Sequence, residues 1–328
     1  MYLTMCCMQQ QPPAGLFEMM LTVGTRGSKL SLIQTESVLD DLKRIHPELE
    51  FKIKVIKTLG DKERKKPLFA IDMKGIFEKE IDLAIANGEV DFAVHSLKDV
   101  PTVESSETVI AAIPERSSPH DVLISKGNVP FIALAKGAVI GTGSLRRLAQ
   151  VKFLRPDLEV VPIRGNVDTR IRKVKRGEFD GIIVAEAGLA RMGLESLITE
   201  RFPLRQFTSA AGQGALAVVA KRDNEKVIEL LSALDHLPTR AEVTAERSLI
   251  LALEGGCRVP IGVIGRANNR ALSLYGCIFS LNTHEKISAS AEGTLAEAQE
   301  LGKKVAQSLL KQGAEKFEAE WREKYGPW

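Results

Sequence analysis

Five arginines, Arg26, Arg146, Arg147, Arg164 and Arg170, fall at or just after the ends of expected strands, where open α/β sheets form their clefts. A guanidinium is a planar fork that matches a carboxylate. One such arginine alone reads as a surface ion pair, and Arg172, Lys173, Lys175 and Arg176 fit that reading, as the solvated face of one helix. Five at strand ends in two similar stretches point instead to a pocket for a polyanion. The adjoining turns agree. Val23-Gly-Thr-Arg-Gly-Ser-Lys and Ile140-Gly-Thr-Gly-Ser-Leu-Arg-Arg each place a glycine turn and a serine at a helix start, where free N–H groups and the helix dipole favour an anion. Ser28 or Ser144 taken singly is also an ordinary N-cap. Neither turn has the Walker lysine spacing, and Gly-Thr-Gly-Ser is too short for a dinucleotide fingerprint, so carboxylates fit better than nucleotides.

Asp99 follows an apolar strand directly, with Lys98 before it and Pro101 fixing the exit. An aspartate there is commonly a turn-former, but as a lone acid among cations it is placed to bind an N–H donor or to stabilise a cation forming in a reaction. Cys257, between Gly255-Gly256 and Arg258, sits on a small-residue hinge beside a positive charge that favours thiolate; the alternative is an inert structural thiol. His95 reads as a packed or hydrogen-bonded core residue.

The elements that must hold these side chains alternate regularly. Leu21 to Gly24 reads as a strand and Ser28 to His46 as a helix, with Leu30, Ile33, Leu39, Leu42 and Ile45 at helical spacing. Phe51, Ile53 and Val55 alternate with lysines as a half-exposed strand, and Gly60 to Pro67 has too little apolar content to pack and is expected to be a mobile surface loop. Phe77 to Asn87 reads as a helix and Phe92 to Val94 as a buried strand. Beyond Pro114 the pattern restarts: strand at Val139 to Gly141, helix from Ser144, strand near Val160, helix from Val167, strand at Ile182 to Val184. Alternation of this kind predicts an α/β protein with parallel sheets covered by helices. A third unit follows: a helix from Thr239 to Leu253, the Cys257 turn, strands near Ile261 to Ile264 and Leu272 to Ile278, and a closing helix from Leu295.

Composition narrows the class. A chain of 328 residues suggests two or three domains at roughly 150 residues each. With 44% hydrophobic and 27% charged residues it is a folded protein. A formal charge of +3 and 5% aromatics are too little for a nucleic-acid surface, and no apolar run approaches the roughly 20 residues of a membrane helix. The four cysteines have neither zinc-finger spacing nor a dense disulfide pattern, which suits a reducing cytosol. The first 25 residues carry one charge, Glu18, so the basic region of a secretory or transit signal is missing. Met1 to Glu18 is expected to be a loose tail.

Eight segments, in order, make a resemblance specific: Gly24-Thr-Arg-Gly-Ser-Lys-Leu, Lys74-Gly-Ile-Phe-Glu-Lys-Glu, Gly88-Glu-Val-Asp-Phe-Ala-Val-His-Ser-Leu-Lys-Asp-Val-Pro-Thr, Gly141-Thr-Gly-Ser-Leu-Arg-Arg, Arg164-Gly-Asn-Val-Asp-Thr-Arg, Ala187-Gly-Leu-Ala-Arg-Met-Gly-Leu, Gly212-Gln-Gly-Ala-Leu and Gly255-Gly-Cys-Arg-Val-Pro-Ile-Gly. Over Leu21 to about Gly262 the chain resembles the porphobilinogen deaminase (hydroxymethylbilane synthase) family of tetrapyrrole biosynthesis. The resemblance implies that Cys257 carries a dipyrromethane cofactor through a thioether and that Asp99 is the catalytic aspartate. It implies further that Lys98, Ser144, Arg146, Arg147 and Arg170 bind the cofactor, and that Arg26, Ser28, Arg164, Arg191, Gln213 and the loop residue Lys74 bind porphobilinogen or the growing chain. Some members carry a second lysine and glycines just before Lys74, where this chain has Ala70, Asp72 and Met73.

The resemblance also implies two lobes like those of periplasmic binding proteins and a small C-terminal α+β domain. The expected boundaries are 1–19 for the tail, 20–114 with 215–234 for a discontinuous first lobe, 119–208 for the second and 237–328 for the cysteine-bearing domain. A cytosolic monomer without nucleic acid, membrane or metal is expected. The rival is a non-catalytic two-lobed binding protein for a carboxylated small molecule.

Overall fold

The computed structural model describes residues 20–62, 78–103, 105–253, 260–282 and 284–326. Cys257 with its glycine turn, Lys74, most of the Gly60 to Pro67 stretch and the N-terminal tail lie outside the described residues.

Two five-stranded sheets are built to one plan. In the first, the order is β2 (Glu50–Ile56), β1 (Met20–Arg26), β3 (Phe92–Ser96), β10 (Leu216–Lys221), β4 (Thr108–Ala112). In the second it is β7 (Glu159–Val161), β6 (Val139–Gly141), β8 (Gly181–Ala185), β5 (Asp121–Ser125), β9 (Glu200–Arg201). The first three strands of each run parallel. The fourth is antiparallel to both neighbours. Both sheets are therefore mixed, which corrects the expectation of parallel ones. The cause is the pair of crossovers: the chain leaves the first sheet after β4, enters the second as β5, and returns to the first only as β10. A strand arriving from the other lobe has no helix turning it back, so it can enter antiparallel.

Helices α1 (Lys29–Ile45), α2 (Leu59–Lys62), α3 (Lys79–Ala86) and α7 (Glu225–Ser232) accompany the first sheet. Helices α4 (Leu145–Leu154), α5 (Val167–Lys175) and α6 (Glu186–Arg191) accompany the second. α1 forms because Ser28 caps it, its hydroxyl accepting from Ser31 N, and because Val38, Leu39 and Leu42 share one buried face. They pack with Leu21, Val23, Phe92, Val94 and Val218 on one side of the sheet, while Ile81, Ile85, Ala93 and Leu97 fill the other. Part of the Gly60 to Pro67 stretch is the helical turn α2 rather than loop, and α3 begins at Lys79, with Phe77 outside the described residues.

The third unit is an antiparallel sheet, β11 (Ile261–Asn268), β12 (Ala271–Phe279), β13 (Lys286–Thr294), packed on α8 (Leu237–Ala252) and α9 (Ala298–Lys311). Leu295 starts a 3₁₀ turn closed by a capping box between Thr294 and Glu297, and α9 follows it. A last helix, α10 (Ala314–Tyr325), buries Trp321, whose Nε1 donates to Phe279 O at 2.7 Å. The fold is thus α/β, two lobes of matching topology with a discontinuous first lobe, plus a small C-terminal domain.

Candidate active site

The parallel strands β1, β3 and β6 each carry a residue of the sequence-predicted site at or just past their C-terminal ends. β3 leads into the 3₁₀ turn Leu97–Asp99. Leu97 is buried below it, so the turn is pinned while Lys98 stays half-buried and Asp99 exposed. Among the described residues neither Lys98 nor Asp99 makes a hydrogen bond or ion pair, yet the charge of Asp99 is felt at Lys98, Arg147 and Arg170. Burial pulls the Lys98 ammonium down to about 8, with Arg147 and Arg146 adding to the effect against the opposing pull of Asp99 and Asp121.

On the facing lobe Ser144 caps α4, its hydroxyl accepting from Arg147 N, so Ser144 does there what Ser28 does on α1. Arg146 and Arg147 occupy the first turn of α4 and are buried, 5% and 6% exposed. Both reach Asp121, the fully buried first residue of β5. Arg146 Nη1 lies 2.7 Å from Oδ2, and Arg147 Nη2 lies 2.7 Å from Oδ1, to which Arg147 Nε also donates at 2.9 Å. Arg147 Nη1 donates to Ile183 O, and Arg146 Nη1 to Thr208 O. Gln213 completes the group, its Nε2 donating to Asp121 Oδ1 at 3.1 Å and to Pro119 O at 2.8 Å. Burial alone would raise the Asp121 carboxyl, but Arg146 and Arg147 overcome it and hold the group at about 2.

Asp121 corrects the expectation of Asp99 as the lone acid in the cluster. Its only sequence signal is an acid at the head of the apolar run Val122-Leu123-Ile124, which does not say what it meets.

Arg170 and Arg191 each make one side-chain hydrogen bond among the described residues. Arg170, on α5, spends Nε on Gly165 O at 2.8 Å. Burial, with Arg147 and Arg164 close by, pulls its guanidinium down to about 10. Arg191, at the end of α6, donates from Nη2 to Gly214 O at 2.8 Å, and burial brings it to about 10. Arg146 Nε is buried without a hydrogen-bond partner. Arg26, at the end of β1, bears on His95, whose imidazole burial depresses to about 4 with Arg26 adding to the shift. His95 is a buried core residue, though its Nε2 has no hydrogen-bond partner. Lys98, Asp99, Arg146, Arg147, Arg164, Arg170 and Gln213 therefore form one electrostatic unit. Ser28 and Ser144 serve as caps, and Arg191 is tied to a crossover.

The crossovers meet under this unit. Gly214 has φ +91°, and a Cβ there would come within 2.5 Å of Ser117 O. Only glycine lets the returning crossover lie this close on the outgoing one, which brings Gln213 to Asp121. Beside them Arg116 is engaged by Glu242 and Glu246 of α8, a second cluster not read from the sequence. Its signal was present as two acids four residues apart on an otherwise apolar helix face.

A site with this many buried or half-buried cations, incompletely paired around one exposed carboxylate, can hold several carboxylates at once and present Asp99 to a donor or a developing cation. The family model described as "Porphobilinogen deaminase, dipyromethane cofactor binding domain" matches residues 21–229, and "Porphobilinogen deaminase, C-terminal domain" matches 240–311. A "Probable porphobilinogen deaminase" of Nitrosopumilus maritimus is 43% identical over 93% of this chain and 98% of its own length. The porphobilinogen deaminase of Desulforudis audaxviator is 44% identical over 90% and 95%. Among solved structures, the BvgS VFT2 domain of Bordetella pertussis aligns at 13% identity with a TM-score of 0.40, over 65% of this chain and 85% of that one.

Proposed function

The chain belongs to the porphobilinogen deaminase family, and from that premise we propose which of its residues carry the reaction. That reaction is the head-to-tail condensation of four porphobilinogen molecules, with loss of ammonia at each joining, to hydroxymethylbilane on a covalently held dipyrromethane primer. The observation that carries the residue assignment is the surplus of cationic donors around Asp99.

The donor set suits the primer. Each pyrrole brings two carboxylates, so a full six-ring chain brings roughly a dozen, and charge-assisted bonds from guanidinium groups hold them well. The buried Arg146 Nε and the Lys98 ammonium, which has no hydrogen-bond partner among the described residues, fit such an anion. Lys98, Ser144, Arg146, Arg147 and Arg170 would hold the primer, with Cys257, outside the described residues, as its covalent anchor. Arg26, Ser28, Arg164, Arg191 and Gln213, together with Lys74, also outside the described residues, would serve the incoming ring and the growing chain. When bound, the primer would supply the free pyrrole α-carbon to which the first ring is joined, each later ring being joined to the one before it.

The chain's own part is positioning and charge stabilisation. As the C–N bond of the incoming porphobilinogen breaks, its electron pair leaves with ammonia and a methylene-pyrroleninium cation remains. Asp99, exposed and unpaired among the described residues, stabilises that charge more as it develops than in the bound substrate, which lowers the barrier. The new C–C bond would form at the free α-carbon of the terminal ring, whose proton would pass to solvent. A cytosolic monomer acting without nucleic acid or membrane is part of the same proposal; among the described residues no helix is long and apolar enough to cross a membrane.

Intact mass spectrometry with Ehrlich's reagent tests the anchor. Wild type and Cys277→Ala should carry a two-pyrrole adduct, because Cys277 is fully buried behind Thr208. Cys257→Ala should fold, carry no adduct and make no product. A colour-positive, active Cys257→Ala protein would overturn the assignment.

A further inference from the structure

Asp121 has no part in the reaction as described, although it is the residue on which the cation cluster converges. Two guanidiniums on successive residues, with Lys98 near them, repel one another unless an anion lies between. Asp121 supplies it: each oxygen takes one arginine, Arg146 at Oδ2 and Arg147 at Oδ1. The carboxylate is itself fixed from the far side of the junction, because Gln213 of the returning crossover holds both Oδ1 and Pro119 O. Ion pairing keeps it charged throughout the neutral range. Asp121 and Asp99 against Lys98, Arg146, Arg147 and Arg170 leave the cluster positive, and the contacts leave Arg146 Nε over. The arrangement holds and aims the arginines without using up their capacity for ligand.

We propose that Asp121 is a positioning residue, a resident counter-ion that aims Arg146 and Arg147 at the carboxylates of the primer and growing chain. The inference rests on the reading that these two arginines hold ligand carboxylates.

Asp121→Asn keeps the shape and removes the charge. Its test reads primer occupancy per folded molecule by intact mass, together with KM and kcat of the loaded fraction. Expected are an occupancy at least tenfold below wild type and a KM for porphobilinogen raised at least tenfold, with a smaller change in kcat. A purely structural role would lower the yield of folded protein but leave that fraction fully loaded with wild-type KM, and this result overturns the proposal. If Asp121→Asn does not fold, Asp121→Glu carries the test, since it keeps the charge and displaces it. Reduced occupancy and a raised KM support positioning, and full loading with unchanged KM overturns it. Arg147→Leu separates the two levels. Should it stay fully loaded, the reading of the arginines fails; should it lose the primer while Asp121→Asn keeps it, only the present inference fails.

Discussion

On one crossover the chain buries two opposite charge clusters. At the head of β5 a single buried carboxylate, Asp121, is paired with Arg146 and Arg147, with Lys98 near them. At the root of α8 a single guanidinium, Arg116, faces Glu242 and Glu246. Both are enclosed, so burial does not distinguish them; the hydrogen-bond accounts do. Around Arg116, Nε donates to Gln213 O and both Nη atoms reach Glu246. The surplus negative charge is met by the backbone N–H groups of Gly212, Gly265 and Ala267. That cluster is closed, joining a crossover, α8 and β11. Around Asp121 the surplus is positive, and among the described residues donors are left over at Lys98, Arg146 and, farther out, Arg170. A closed cluster fastens the fold, whereas an open one would suit a ligand of opposite charge.

The strongest way to break this contrast is Glu246→Gln. Removing one partner of a buried pair costs about 3 to 5 kcal/mol, so equilibrium unfolding should show a loss of that order, with turnover per folded molecule close to wild type. An unchanged unfolding curve would mean the Arg116 cluster is not a fastening.

Asp99→Asn is the mirror case. Asp99 is exposed and makes no hydrogen bond among the described residues, so unfolding should hardly change. Single-turnover rates should fall by about 10² to 10³, the usual loss when a group stabilising a developing charge is removed. Asp99→Glu should retain measurable activity and stall between ring additions. Near wild-type elongation by the Asn variant would move the catalytic acid elsewhere.

Arg170→Leu probes the open cluster more gently. Its one side-chain hydrogen bond among the described residues goes to Gly165 O, so stability should survive while ligand binding loses about 1.5 to 3 kcal/mol per charged hydrogen bond. Chain-length analysis should find stalled intermediates or apoprotein. Wild-type loading and elongation would exclude Arg170 from the array.

The smallest effect concerns Lys98, whose ammonium burial lowers to about 8. Below that pH it is charged in folded and unfolded chains alike, and the folded state bears the full cost of burying the charge. From about 8 up to the unfolded value of 10.5 the folded state sheds its proton first, and the cost disappears. Lys98→Met should therefore raise Tm slightly at neutral pH, with the gain gone above the unfolded value. In the wild type, primer loading of refolded apoprotein should weaken as pH rises past about 8 and hold steady in Lys98→Arg. A loading profile identical in both proteins would remove Lys98 from the array.

Local pattern determined much of this protein. The spacing of Leu39 and Leu42 built α1, the Gly24 and Gly141 turns with their serines set two helix starts, and the order of short motifs led to Asp99 and the cations beside it. These signals lie within one or two turns of chain, where periodicity and capping act. Strands β4, β5 and β10 left no such mark. β5 is buried at every position, and a short continuous apolar run does not declare its partner or direction. Tertiary structure alone decided that β5 and β10 enter antiparallel, that Asp121 takes up Arg146 and Arg147 from another element, and that Arg116 meets Glu246 across 130 residues of sequence. A buried charge is stable only beside its partner. Which partner it has is fixed by how the crossovers bring distant segments together, and no local spacing encodes that.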